Sequence, residues 1–68
     1  MKITLNNKTE ELDGLEQLSI QELLTIKNFT FRMLVIKING KVIKRDDYST
    51  AIVHPNDDVK VIHLISGG

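Results

Sequence analysis

Apolar and polar residues alternate at the start of the chain, with Ile3 and Leu5 set between Lys2, Thr4 and Asn6. A period of two is the mark of a half-buried strand. Asn6-Asn7 supplies turn chemistry, because asparagine tolerates a positive φ, and Lys8 to Leu12 returns as a second, more polar strand that Asp13-Gly14 ends. The period then lengthens. Ile20, Leu23, Leu24 and the stem of Lys27 fall on one face of a helix. Ser19-Ile20-Gln21-Glu22 fits a capping box ahead of it, and Leu18 and Leu23 occupy the two positions of a hydrophobic staple. Asn28 suits the left-handed residue that closes a helix, so the pattern predicts a helix from Ile20 to about Lys27.

After a connection in which Phe29 or Phe31 plugs the core, Leu34, Ile36 and Ile38 alternate with Val35 and Lys37. Asn39-Gly40 is a strong type I′ hairpin signal, which makes Lys41 to Ile43 a short antiparallel partner. Asp46 to Ala51 reads as a single helical turn with Asp46 or Asp47 as its N-cap and Tyr48 packing inward. Pro55-Asn56-Asp57-Asp58 is a further turn cluster. Val59 to Ile65 is the last strand, apolar on both faces as a central strand should be. Two hairpins, one helix and a final central strand predict an α+β fold. A mixed sheet with the helix packed across one face, the β-grasp or ubiquitin-like architecture, satisfies that order. The expected division is a body over residues 1–65 and a flexible diglycine tail over 66–68.

Composition narrows the function. A chain of 68 residues is one small domain, burying about 60% of the surface its unfolded form exposes. Nine basic residues balance nine acidic ones, so no basic field argues for nucleic acid. The absence of cysteine removes disulfides, cysteine-type zinc sites and persulfide chemistry on this chain. No apolar run approaches a membrane span, and Met1 to Leu5 is too short for a signal peptide. A cytoplasmic monomer is the expectation. His54 and His63 have no nearby ligand cluster, so no metal is expected, and no nucleophile–base–orienter set marks an enzyme.

What remains is the end of the sequence, Ile65-Ser66-Gly67-Gly68. Without a Cβ, glycine passes through channels that other residues would block, and it leaves the Gly68 carboxylate open to an activating enzyme. Two terminal glycines arise by chance about once in 200 chains, so the pair gains weight only from what precedes it. In the last strand, Lys60, Ile62 and Leu64 share one face. With Lys60 toward solvent, Ile62 and Leu64 form an exposed apolar pair beside the tail, a docking surface; the alternative is that neighbouring side chains cover them.

In length and element order, and most specifically from Val35 onward, the chain resembles the ThiS family of sulfur carrier proteins in thiamine (thiazole) biosynthesis. The resemblance rests on Val35-Ile36-Lys37-Ile38-Asn39-Gly40-Lys41-Val42-Ile43-Lys44-Arg45, on Tyr48, on Asn56-Asp57-Asp58-Val59-Lys60-Val61 and on Gly67-Gly68. Asn39, Arg45, Asp57 and the diglycine match by position. Lys44 stands where the family has proline, and Asn56 where it has glycine. Asparagine is the best substitute for glycine in the left-handed region.

The resemblance implies chemistry done to this protein. A ThiF-type adenylyltransferase, holding ATP and Mg²⁺, would adenylate Gly68. A sulfur donor such as a cysteine desulfurase would lead to a thiocarboxylate, and a ThiG-type thiazole synthase would take the sulfur. No cofactor is implied on this chain. Ser66 and Gly67 would thread the partner, Ile62 and Leu64 would dock, and Arg45 would meet an acidic patch on the adenylating enzyme or remain a solvated turn residue. The rival readings are a molybdopterin synthase small subunit, which shares the fold and tail, and a non-covalent TGS-type β-grasp module, which needs no diglycine.

Overall fold

The computed structural model describes residues 1–30 and 32–64. In chain order the elements are β1 (Lys2–Leu5), β2 (Lys8–Glu11), β3 (Leu18–Ser19), α1 (Ile20–Ile26), β4 (Leu34–Ile38), β5 (Lys41–Ile43), a 3₁₀ turn (Arg45–Asp47), β6 (Ile52–Val53) and β7 (Asp58–His63). Five strands form one mixed sheet in the order β2-β1-β7-β4-β5, and β3 pairs with β6 in a separate two-stranded ribbon. β7 runs parallel to β1 and antiparallel to β4. The last strand therefore lies in the middle of a β-grasp sheet, as the apolar residues on both its faces require.

Turn chemistry sets the hairpins. Asn6 and Asn7 have φ of 50° and 69°, and Asn39 and Gly40 have φ of 51° and 84°. A two-residue hairpin needs positive φ at both positions so that its twist matches that of the strands, and both pairs meet that demand. Asn56 is also left-handed, at φ 71°, so asparagine does the work of glycine there.

The helix is fixed at both ends by its own sequence. Ser19 Oγ accepts from the Glu22 amide at 3.0 Å, and Glu22 Oε1 accepts from the Ser19 amide at 3.0 Å. This is the complete capping box. The two preceding orphan donors, the amides of Ile20 and Gln21, bond to the carbonyls of Ala51 and Tyr48 at 2.9 and 2.8 Å. At the other end Asn28 sits at φ 58°. The Asn28 amide meets the Thr25 carbonyl at 3.1 Å and the Phe29 amide meets that of Leu24 at 2.8 Å, which is the Schellman closure.

Ile20, Leu23 and Leu24 face inward from the helix and pack with Ile3, Ile36 and Val59 of the sheet in one core. Phe29 and Tyr48 are half-buried against it. Lys27 reaches across to form an ion pair with Glu10 of β2.

Three expectations change. The last strand begins one residue earlier, at Asp58, and within the described residues runs to His63. The Leu64 amide then donates to the Met33 carbonyl at 2.9 Å. β2 stops at Glu11 and Leu12 turns into the core. The helical turn starts at Arg45, and its N-cap is Lys44, extended and without a side-chain cap bond, in place of Asp46 or Asp47. The ribbon β3–β6 carries no period in sequence, because each strand is two residues long and exists only through its partner. Phe31, and Ile65 as part of the last strand, lie outside the described residues, as do Ser66, Gly67 and Gly68.

Candidate functional site

The alternation of side chains divides the sheet into two faces. Ile36 and its partner Val61 are buried, so Val35, Lys37, Lys60 and Ile62 belong to the opposite, outer face. Val35 pairs with Ile62 there, and Lys37 pairs with both Lys60 and Val42. Ile62 and Leu64 are 41% and 44% exposed, and Val42 and Met33 are 56% and 49% exposed. The apolar pair expected beside the tail is therefore open, and its alternative, coverage by neighbouring side chains, does not hold. The patch is also larger than the pair, because β4 and β5 add Val35 and Val42 to it.

Charge borders this patch. Lys37 and Lys60 lie directly opposite each other, a like-charge arrangement that costs stability on a sheet. Lys60 is partly compensated, since its Nζ donates to Asn7 Oδ1 at 2.7 Å and lies 3.5 Å from Asp58 Oδ1. Such a surface, apolar and flanked by lysines, complements an apolar partner surface edged with carboxylates.

β7 is bonded on both flanks. On the β1 side the Val61 amide donates to Asn6 Oδ1 at 2.8 Å. On the β4 side pairing runs to Leu34 opposite His63 and then to the Leu64–Met33 bond. The start of the strand is bonded to the β4–β5 turn. Asn39 Oδ1 accepts from the Asp58 amide at 2.8 Å, and Asn39 Nδ2 donates to Asp57 Oδ1 at 3.0 Å. Asp57 Oδ2 also accepts from the His54 amide at 2.8 Å. Asn39 and Asp57 join the β4–β5 turn to the start of β7, a structural role for two positions singled out by resemblance.

Arg45 is exposed on the 3₁₀ turn and neither idle nor aimed away from the body. Its Nη2 donates to the Arg32 carbonyl at 2.6 Å. It borders an open cleft of about 430 Å³ whose walls include Leu24, Thr25, Phe29, Arg32 and Tyr48. His63 is exposed and stands in β7 opposite Leu34. Among the described residues, no group of three or more His, Cys, Asp or Glu is placed to hold a metal ion, and no helix is long and apolar enough to cross a membrane.

The model of the ThiS family matches residues 3–68. The chain belongs to the ThiS family. Two solved structures share its architecture. The crystal structure of the thiamine biosynthesis protein ThiS from Geobacter metallireducens superposes with a TM-score of 0.90 at 29% identity, covering 100% of both chains. The NMR solution structure of a thiamine biosynthesis protein from the same organism gives a TM-score of 0.81 at 29% identity, covering 100% of this chain and 88% of that one.

The residues of this outer face that alternation along β7 alone did not reveal are Val35, Val42 and Lys37. They become legible once β7 is known to sit between β1 and β4. The outer face then follows by alternation from the buried residues Ile36 and Val61.

Proposed function

We propose that this chain is the sulfur carrier of a thiazole-forming pathway in thiamine biosynthesis, and that its reactive atoms are the carboxylate oxygens of Gly68. The observation that carries this reading is the family match, which runs through the diglycine at residue 68. It is supported by the central place of β7, which leads from the sheet toward those residues.

A carboxylate is a poor electrophile until one of its oxygens belongs to a good leaving group. A Gly68 oxygen attacks the α-phosphorus of ATP on a ThiF-type partner, and pyrophosphate departs. The terminal sulfur of a persulfide, on a donor of the cysteine desulfurase kind, then attacks the acyl carbon and AMP departs. The acyl disulfide so formed is cleaved by a second thiol, the two-electron reductant, which leaves a thiocarboxylate on Gly68 and a disulfide on the donor side. A ThiG-type thiazole synthase consumes that sulfur. ATP and Mg²⁺ belong to the adenylating partner. This chain's contribution is presentation: the outer face docks, and the residues beyond Leu64 deliver the carboxylate. The thiamine roles of both structural relatives support this branch over the molybdopterin synthase small subunit and over a TGS-type module.

The test is intact mass of the protein from thiamine-starved cells that contain the adenylating partner. A gain equal to replacement of one oxygen by sulfur, located on the C-terminal peptide, is the expected result. An unmodified mass, with no adenylate formed on adding ATP and partner, overturns the reading.

Ile62→Glu and Leu64→Glu test the docking face. Each places a carboxylate in the apolar patch and so forces an uncompensated charge into the interface. Removing such an anchor costs about 2 kcal/mol or more at an interface, roughly a 30-fold rise in KM for the carrier. Thermal stability should change little, because both side chains are already exposed. Unaltered KM in both variants would assign docking to another surface.

A further inference from the structure

We propose that Asn39 is a self-modification site: it loses its side-chain amide to attack by the Gly40 backbone nitrogen, and the fold restrains that reaction through Asp57 and the Asp58 amide. This is independent of the carrier reading above. Asn39-Gly40 is the single Asn-Gly step of the chain, and both residues are exposed. Gly40 offers the attacking nitrogen with no side chain to hinder it, and nothing lies within 4 Å of where its Cβ would stand. Asn6, Asn7, Asn28 and Asn56 are instead followed by Asn7, Lys8, Phe29 and Asp57, whose side chains crowd the same approach.

The chemistry needs only water. The Gly40 nitrogen bonds to Asn39 Cγ and gives up its proton, the Cγ–Nδ2 bond breaks, and ammonia leaves. Water then opens the five-membered imide. Attack on Cγ gives aspartate; attack on the backbone carbonyl carbon gives isoaspartate, with the main chain rerouted through the side chain. One water enters and one ammonia departs, with no change of oxidation state.

In the folded chain the carboxamide is held at both ends. Its Oδ1 accepts from the Asp58 amide at 2.8 Å, and its Nδ2 donates to Asp57 Oδ1 at 3.0 Å. The Asn39 amide adds a backbone bond to the Asp58 carbonyl at 2.7 Å. The imide ring also needs a backbone ψ far from that of the left-handed region, where Asn39 sits at φ 51°. Ring closure therefore proceeds from chains in which this junction has opened. Its product then prevents the junction from reforming as before. A carboxylate at position 39 has no donor for Asp57, so two acids face each other. Isoaspartate adds a carbon to the main chain inside a two-residue turn whose length sets the strand register. Either product unpins the β4–β5 turn from the start of β7, and refolding does not restore it. Asn39 thus records the time a chain has spent open.

The test ages wild type, Asp57→Ala and Asp57→Asn side by side in mildly alkaline buffer, at a temperature where circular dichroism shows them folded. Wild type in guanidinium chloride is the open reference. Each is digested, and the peptide holding Asn39-Gly40 is weighed for replacement of NH₂ by OH. The unfolded chain should convert at Asn39 ahead of its other asparagines. Folded wild type should convert at least about tenfold more slowly, the effect of holding two side-chain bonds. Asp57→Ala should regain several-fold of the lost rate, and Asp57→Asn, which keeps an acceptor oxygen, less. Should Asp57→Ala fail to fold, Asp57→Asn against wild type carries the comparison. Asn39→Asp should melt several degrees below wild type.

No conversion at Asn39 in the unfolded chain overturns the site. Equal rates in folded and unfolded wild type, or in wild type and the Asp57 variants, overturn the restraint by the fold. An unchanged melt for Asn39→Asp overturns the effect on the junction with β7.

Discussion

Gly68→Val should abolish activation while leaving the fold intact. The β-branched side chain puts two carbon branches beside the reacting carboxylate and restricts the backbone that must enter the adenylating site. Glycine has neither obstacle. Displacing a reacting group by about 1 Å can cost about 100-fold in rate, and the valine branches demand a displacement of at least that size. ATP-dependent pyrophosphate release with the partner enzyme should therefore fall by at least about 100-fold. The circular dichroism melt should match wild type, because Gly68 lies well past His63, where β7 ends. A variant that is adenylated at the wild-type rate would place the reactive group elsewhere. Binding without activation is the outcome that separates a carrier from a sheet-binding module: in the module, the terminal residue has no task.

The largest expected effect on stability is that of Leu23→Ala. Leu23 has no exposure and lies in the core that joins helix to sheet. Removing its branched end loses transfer free energy and leaves a cavity, together about 3 kcal/mol. A domain of this size has about 5 kcal/mol in all, so more than half would be lost. The expected fall in Tm is about 15 °C or more, at the several degrees per kcal/mol typical of small domains. Urea denaturation should show a lower midpoint with an unchanged slope. A loss below about 1 kcal/mol would mean that the helix relaxes into the space without penalty.

Some of the fold was legible because its cause is local. The capping box at Ser19 and Glu22 needs only residues three apart, and both bonds form. The left-handed turns at Asn6-Asn7 and Asn39-Gly40 follow from side chains that tolerate positive φ. The central place of the last strand followed from apolar residues on both of its faces. Less was legible around residues 44–51, where Asp46 and Asp47 suggested a cap that the chain does not use. Acidic residues at the start of a turn are a statistical preference, and here backbone bonds from Asp47, Tyr48 and Ala51 close the turns.

The candidate site divides in the same way. The diglycine, and the pairing of Ile62 with Leu64 on one strand face, could be read directly, because both are properties of adjacent residues. Lys60 joins them by the same alternation, whereas Val35, Val42 and Lys37 could be assigned to that face only after the sheet order was known. Arg45 shows the difference most clearly. In sequence it is a charged turn residue facing either a partner or solvent. In the structure its guanidinium meets the carbonyl of Arg32, a contact across a span of chain that no local pattern encodes.

The sequence by itself determined the helix and its caps, the two asparagine hairpins, the alternating strands and the membership of the ThiS family. Each is written in residues a few positions apart, or in a match along the whole chain. Only the tertiary structure decided that the sheet runs β2-β1-β7-β4-β5, that an apolar patch opens on its outer face, and that Arg45 reaches the Arg32 carbonyl. Those features depend on which distant segments become neighbours. The burial of Ile3, Ile36, Leu23 and Val59 in one shared core sets that.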